Sequence, residues 1–109
     1  MAKTIKFTYE DKDYTLEFSR RSVRELEQSG FVARDIADKP MSTIPLLFAG
    51  AFKMHHRNVK QDLIDEIYSH FSNKELLLDK LSDMYMDTLE TLFEEKENDS
   101  KNVEWKADF

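Results

Sequence analysis

Residues 5–31 read IKFTYEDKDYTLEFSRRSVRELEQSGF, and this stretch decides the fold class. Its first half alternates polar and apolar residues, as expected for two strands that each bury one face. The apolar positions are Ile5, Phe7 and Tyr9 in the first strand and Tyr14, Leu16 and Phe18 in the second. The polar residues 10–13 between them predict a β-hairpin. The turn lacks an Asn-Gly pair, so its type is open.

A helix is predicted directly after the hairpin. Ser19 is a suitable N-cap, Val23 and Leu26 form an apolar stripe, and Gly30 is a suitable C-terminal stop. A lone two-stranded hairpin is only marginally stable in water, so its aromatic face must pack on other elements. The hairpin followed by helices predicts an α+β fold, with about four α-helices in all.

The second predicted helix is the most apolar part of the chain. Pro40 marks a boundary, because the residue before a proline avoids the helical region. Ser42 predicts the helix start, with Pro45 in the first turn, where a missing N–H is tolerated. Residues 44–52 are apolar on nearly every side, which indicates a central, buried helix. Residues 32–39 fit a short helix or a loop equally well.

Two amphipathic helices follow in the second half of the chain. Asn58 predicts the start of the third helix, with Gln61 completing a capping box. Ser72 or Asn73 predicts the start of a fourth helix of roughly 20 residues, which meets no breaker until Asn98. Its apolar positions recur every three or four residues at Leu77, Leu81, Met84, Tyr85, Thr88, Leu89, Leu92 and Phe93.

The fourth helix is the best candidate for binding a partner, because an apolar stripe with methionines and aromatics suits a helical groove. The favoured interpretation of the same stripe is that it belongs to the protein's own core, and the two interpretations are compatible. The predicted partner-binding residues are Leu81, Met84, Tyr85, Leu89, Leu92 and Phe93, together with Trp105 beyond the helix. A second copy of the chain is also an alternative partner, in a homo-oligomer, because a chain of this size cannot bury every aromatic residue it carries.

The C-terminal residues differ in character from the rest. Residues 1–97 are expected to form a single α+β domain, and residues 98–109 an acidic tail that is mobile. The end of this tail alternates again, with Val103, Trp105 and Phe109 at every second or fourth position. It is either a third strand of the hairpin or a segment that becomes ordered only on a partner.

Charge and composition exclude several classes of protein. The chain has 109 residues, no cysteine and a net charge of −6. Residues 73–109 hold five basic and eleven acidic side chains and so account for the whole net charge. Such a chain is a poor candidate for binding nucleic acid through phosphates, and its acidic end either contacts a basic partner or maintains solubility. No apolar run is long enough to span a membrane, and the lack of cysteine makes the cytoplasm the expected location.

No residue pattern points to catalysis, so we expect no enzymatic activity, no cofactor and no metal. His55 and His56 are adjacent and His70 is distant, which is not the spacing of a metal site. A metal-dependent enzyme using these histidines is the weakest alternative. The positive charge of the basic window 53–60 complements the partial negative charge at the C-terminal end of the second helix. Alternatively, this window forms a docking rim for an acidic peptide or for the protein's own tail.

Four stretches carry a resemblance to a known family: residues 5–31, residues 39–56 (KPMSTIPLLFAGAFKMHH), residues 60–68 (KQDLIDEIY) and the ending NVEW at 102–105. They resemble a family of small proteins of unknown function from phages and prophages of gut Firmicutes. That family is similar in layout to the tail assembly chaperones of long-tailed phages, which begin with a hairpin that runs into a helical domain.

The resemblance implies a function without a catalytic site. It implies that the protein binds the tape measure protein, keeps this long helical chain soluble, and helps the tail tube protein polymerise around it. Two alternatives stay open. One is a structural virion protein, such as a head–tail connector or a tail completion subunit. The other is a small regulator that binds one host protein through the fourth helix.

Overall fold

The computed structural model describes residues 3–94, 101 and 103–109, and it confirms the α+β prediction. Two antiparallel strands, β1 (Ile5–Tyr9) and β2 (Lys12–Leu16), precede the helices. The described helices are α1 (Arg20–Gln28), α2 (Asp35–Asp38), α3 (Pro40–Gly50), α4 (Gln61–His70) and α5 (Lys74–Glu90), with a 3₁₀ turn at Thr91–Phe93. The stretch that fitted either a helix or a loop thus contains the short helix α2, which raises the predicted four helices to five.

The hairpin closes through a two-residue turn. Glu10 and Asp11 have φ angles of 49° and 65°, so both lie in the left-handed region, as in a type I′ turn. Thr8 Oγ1 donates a hydrogen bond of 2.6 Å to Asp13 beside the turn. The backbone twist of such a turn matches that of the strands, which explains how a hairpin forms here without the usual Asn-Gly pair.

The first helix begins and ends where the sequence predicts. Ser19 and Ser22 cap α1 reciprocally, because each side-chain oxygen accepts from the other residue's backbone N–H, at 3.1 and 2.8 Å. Gly30 has a φ of 103°, and Phe31 N–H donates to the Leu26 carbonyl at 3.2 Å. The left-handed glycine therefore ends the helix and turns Phe31 into the core.

The predicted starts of the next two helices are wrong by two or three residues. Helix α3 begins at Pro40 and not at Ser42, since the fixed φ and missing N–H of proline suit the first helical position. Pro45 consequently lies inside the helix and not in its first turn. Helix α4 begins at Gln61, and Asn58 does not cap it, because the residues before Lys60 form turns that return towards the hairpin.

Of the two candidate caps for the long helix, Asn73 is the one used. It has a left-handed φ of 49°, and its side chain accepts from Leu76 N–H at 3.2 Å. Helix α5 has 17 residues and gives way to the 3₁₀ turn after Glu90, so the regular helix is shorter than predicted. Asn98 and the predicted domain boundary at residue 97 lie outside the described residues.

The core joins the hairpin to α1, α3, α4 and α5. Helix α3 is central, as predicted, and Leu47 and Phe48 are fully buried on it. The Phe7 ring stacks on Tyr14 at 5.2 Å between ring centroids and meets Phe71 edge-on at 4.9 Å. The largest fully buried side chains are Leu16, Ser22, Leu47, Phe48, Phe52, Ile67 and Leu81.

Residues 103–109 carry no regular secondary structure and are exposed. Within the described part of the chain the sheet has two strands, so the third strand that was one of two alternatives is not formed. Ordering on a partner stays a prediction.

No described helix combines the length and the apolar character that crossing a membrane requires.

The close approach of α1 and α3 provides a test of the core. A Cβ atom added to Gly50 would lie 3.0 Å from both Leu26 methyl groups, closer than ordinary van der Waals contact, so Gly50→Val must displace the Leu26 side chain. We expect the free energy of unfolding to fall by about 1–3 kcal/mol, measured by urea denaturation. Gly50→Ala is the matched control, and we expect a smaller loss because it adds one carbon and gains helix propensity. Equal stability of Gly50→Val and the unchanged protein would contradict this account of the contact.

Candidate functional site

The predicted partner-binding residues separate along α5 into a buried and an exposed group. Leu81, Met84 and Tyr85 are buried in the core, where α5 packs against α1 and α3. Beyond this contact Leu89 is half-buried, while Leu92 and Phe93 are 65% and 87% exposed. The first half of the stripe is therefore core, which was the favoured interpretation, and its last turn presents apolar side chains to solvent.

A shallow groove between α1 and α5 adjoins this exposed turn. It encloses about 110 Å³. Its floor is apolar, and charged side chains from α1 stand along one side. It is lined by Arg20, Val23, Arg24, Glu27, Thr88, Leu89 and Leu92. We call the groove together with Phe93 the α1–α5 surface. Such a surface has the size and polarity to receive apolar side chains of a partner helix rather than a small ligand.

The exposed turn is held in place by Arg20. Its guanidinium donates to Thr91 Oγ1 at 2.8 Å and also to the Thr91 carbonyl. Thr91 Oγ1 in turn donates to the Thr88 carbonyl at 2.6 Å. These hydrogen bonds join the N-terminal end of α1 to the 3₁₀ turn. They fix the direction in which Leu92 and Phe93 leave the core.

Ion pairs flank the other side of the same turn. Lys3 Nζ lies 2.8 Å from Asp83 and 3.0 Å from Asp87, which ties the start of the hairpin to α5. The hydrogen bonds with these two carboxylates raise the pKa of Lys3, and the bond to Lys3 lowers the pKa of Asp83. Because all three groups are solvent-exposed, these pairs contribute little to stability. Their consequence is a charged rim beside the apolar turn.

Trp105, the last predicted partner-binding residue, is 83% exposed. It does not line the groove between α1 and α5. The structure therefore brings Leu89 and Leu92 together at the groove, places Phe93 exposed directly after Leu92, and leaves Trp105 outside the groove.

The three histidines make three separate contacts. His55 Nε2 lies 2.8 Å from a Glu17 carboxylate oxygen, His56 Nε2 accepts from Thr15 N–H at 2.9 Å, and the His70 ring lies 5.8 Å from Tyr9. Within residues 3–94, 101 and 103–109, no group of three His, Asp or Glu side chains is arranged to hold a metal ion.

The basic window forms the wall of a second depression, of about 470 Å³. Lys12 and Lys60 line it together with His55 and His56. Arg57, at its margin, is engaged by Glu25 in two hydrogen bonds of 2.8 and 2.9 Å, which lower the pKa of Glu25. The basic window thus lines a depression, and its role as a docking rim for an acidic peptide stays a prediction.

A family model described as a domain of unknown function, DUF5055, matches residues 1–109. The chain belongs to this family. The match spans the hairpin, all the described helices and both depressions. Comparison with curated proteins gave no match, and comparison with solved structures gave none either.

One role in this DUF5055 chain has no signal in the sequence. His56 covers the outer edge of the hairpin by accepting from Thr15 N–H across 41 residues of sequence. Partial burial lowers the pKa of His56, and the neighbouring His55 and Lys12 lower it further. The ring can accept this bond only while Nε2 carries no proton, so the folded DUF5055 chain favours neutral His56.

This preference predicts a pH dependence of stability. A histidine whose pKa is lower in the folded state binds its proton more readily in the unfolded state. Its contribution is therefore complete above the ordinary histidine pKa of about 6.5 and is lost as the pH falls from there through the folded-state pKa. We expect the free energy of unfolding to decline less between pH 7.5 and pH 5 in His56→Gln than in the unchanged protein, because glutamine does not titrate in this range.

His70→Gln is the matched control, because it makes the same substitution at a histidine that lies beside the Tyr9 ring and not beside the backbone of β2. We expect the decline, measured by urea denaturation at both pH values, to be smaller in His56→Gln than in His70→Gln. An identical decline in His56→Gln and the unchanged protein would show that His56 does not titrate on unfolding.

Proposed function

We propose that this DUF5055 protein is a non-enzymatic tail assembly chaperone of a long-tailed phage, acting in the host cytoplasm on the tape measure protein. The observation that carries the proposal is the α1–α5 surface, where Leu92 and Phe93 are 65% and 87% exposed beside an apolar groove. Apolar side chains held outward in this way are typical of a protein-binding surface. The order of hairpin and helices is also the layout on which the chaperone resemblance rests.

The shape of the α1–α5 surface suits a helical client. An amphipathic helix binds by placing apolar side chains three and four residues apart into a groove. Leu89 and Leu92 provide the apolar contact, and Arg24 and Glu27 on α1 provide polar contacts at its margin. A tape measure protein, as a long helical chain, offers many such stretches, so a shallow groove of this kind can bind it repeatedly with modest affinity at each position.

The distribution of charge supports the same role. Residues 73–109 hold the whole net charge of −6 and include the exposed end of α5. A client that aggregates through apolar stretches stays dispersed when each bound copy adds negative charge, because like charges repel. The two features then act together: the apolar surface binds the client, and the acidic end keeps the complex soluble.

The proposal is tested by mixing the purified protein with a helical fragment of a tape measure protein from the same genome. We expect the fragment to stay in the supernatant after centrifugation and to co-elute with the protein. Phe93→Asp places a charge in the apolar contact and should weaken binding by about tenfold or more. Met41→Asp is the matched control, because Met41 is 89% exposed on α3, away from the α1–α5 surface, and should bind normally.

Two results would overturn the proposal. One is a fragment that aggregates equally with and without the protein at micromolar concentration. The other is recovery of the protein from purified virions by immunoblotting, since an assembly chaperone leaves before the particle is complete. That second result would favour the structural virion protein, the head–tail connector or tail completion subunit.

A further inference from the structure

The two edges of the hairpin differ in how their backbone groups are used. Tyr9 and Lys12 flank the two-residue turn as a hydrogen-bonded pair, so the backbone groups of every second residue point away from the partner strand. On β2 two of these outward N–H groups are used: Thr15 donates to His56 at 2.9 Å and Glu17 donates to the Ala51 carbonyl at 3.1 Å. The edge of β2 is therefore closed at its C-terminal end, away from the turn.

The edge of β1 is open. By the same alternation, Lys6 and Thr8 direct their backbone N–H and carbonyl groups away from β2. Neither backbone N–H donates to any residue that the structure describes. An unpaired edge of this kind is a template for another strand.

The inward face of β1 is also incompletely covered. On β2, Tyr14 and Leu16 are 3% and 0% exposed, whereas Ile5, Phe7 and Tyr9 on β1 are only half-buried. These side chains share one face of the sheet with their partners across the hairpin. The exposed part of this face therefore lies along β1, where an added strand would cover it.

Residues 103–109, which we call the C-terminal segment, have the pattern of such a strand. Val103, Trp105 and Phe109 are all exposed, and in an extended chain they lie on one face with Ala107. Glu104, Lys106 and Asp108 occupy the opposite face. The carboxylates of Glu104 and Asp108 thus flank Lys106. The segment can therefore place a carboxylate beside the outward side chain of Lys6 whether it runs parallel or antiparallel to β1.

We propose that the C-terminal segment of one copy pairs with the β1 edge of a second copy as a third strand, and that the exchange is reciprocal. In its own chain the segment is exposed and adds no strand to the hairpin. A reciprocal exchange closes as a twofold dimer, in which each copy both donates a segment and receives one. Trp105 and Phe109 then cover the half-buried face of β1, and the N–H groups of Lys6 and Thr8 gain acceptors.

The area involved is sufficient for a stable dimer. An aromatic side chain buries roughly 150–250 Å². Two copies of Trp105 and Phe109 therefore remove roughly 600–1,000 Å² from solvent, before the surface that they cover is added. The total exceeds the roughly 1,000 Å² that a specific interface requires. The residues that this dimer pairs, on β1 and in the C-terminal segment, do not line the groove between α1 and α5, so the proposal is argued independently of the proposed function.

The test is the oligomeric state of the full chain, measured by sedimentation velocity over a range of concentrations. We expect a dimer that Trp105→Glu weakens by roughly tenfold or more. Met41→Glu makes the same change at another exposed apolar position and should leave the dimer intact. Lys6→Pro removes one outward N–H from the open edge, where proline is tolerated, and should weaken the dimer without unfolding the hairpin.

Hydrogen exchange locates the contact. The amides of Lys6 and Thr8 should gain protection in proportion to the fraction of dimer. A monomer at every concentration would overturn the proposal, as would a dimer that withstands both Trp105→Glu and Lys6→Pro. Protection of the two amides in the monomer would also overturn it, because the segment would then pair within its own chain.

Discussion

The aromatic contact between the hairpin and the helices is the constraint on which the rest of the structure depends. A two-stranded sheet has too few backbone hydrogen bonds to be stable alone in water, so it persists only where one face is covered. Phe7 and Tyr14 provide that face, and they meet Phe52 and Phe71 at ring distances of 4.9–6.4 Å. These rings bring the end of α3 and the end of α4 to the same side of the hairpin.

This contact also explains the difference between the two edges of the sheet. Because the chain leaving α3 must pass the hairpin to reach α4, Ala51 and His56 come to lie beside β2 and accept from the N–H groups of Glu17 and Thr15. Among the described residues no comparable passage accepts from the outward N–H groups of β1, and Lys3, just before this strand, forms ion pairs with α5. The edge of β2 is thus covered at its C-terminal end by the chain between α3 and α4, while the edge of β1 is left available for pairing.

The apolar stripe that begins in α5 runs from the buried core to the exposed surface. Its first turns fill the core through Leu81 and Tyr85, and the same spacing carries Leu92 and Phe93 beyond the edge of α1 and α3. The arginine at the start of α1 then holds the final turn in a fixed direction. The buried part of the stripe and the exposed part proposed to bind a partner helix are therefore consecutive along the chain, and both consist of apolar residues, so the sequence pattern does not separate them.

The sequence alone was enough for the hairpin, the capped start and glycine end of α1, the central apolar helix and the amphipathic character of α4 and α5. Each depends on neighbours a few residues apart, through alternation, capping or helical spacing. Tertiary structure decided which part of the α5 stripe is buried, that His56 closes the edge of β2, and that the C-terminal segment lies unpaired. Burial and edge pairing depend on where distant elements end, and contacts such as the one between Thr15 and His56 join residues that no local pattern connects.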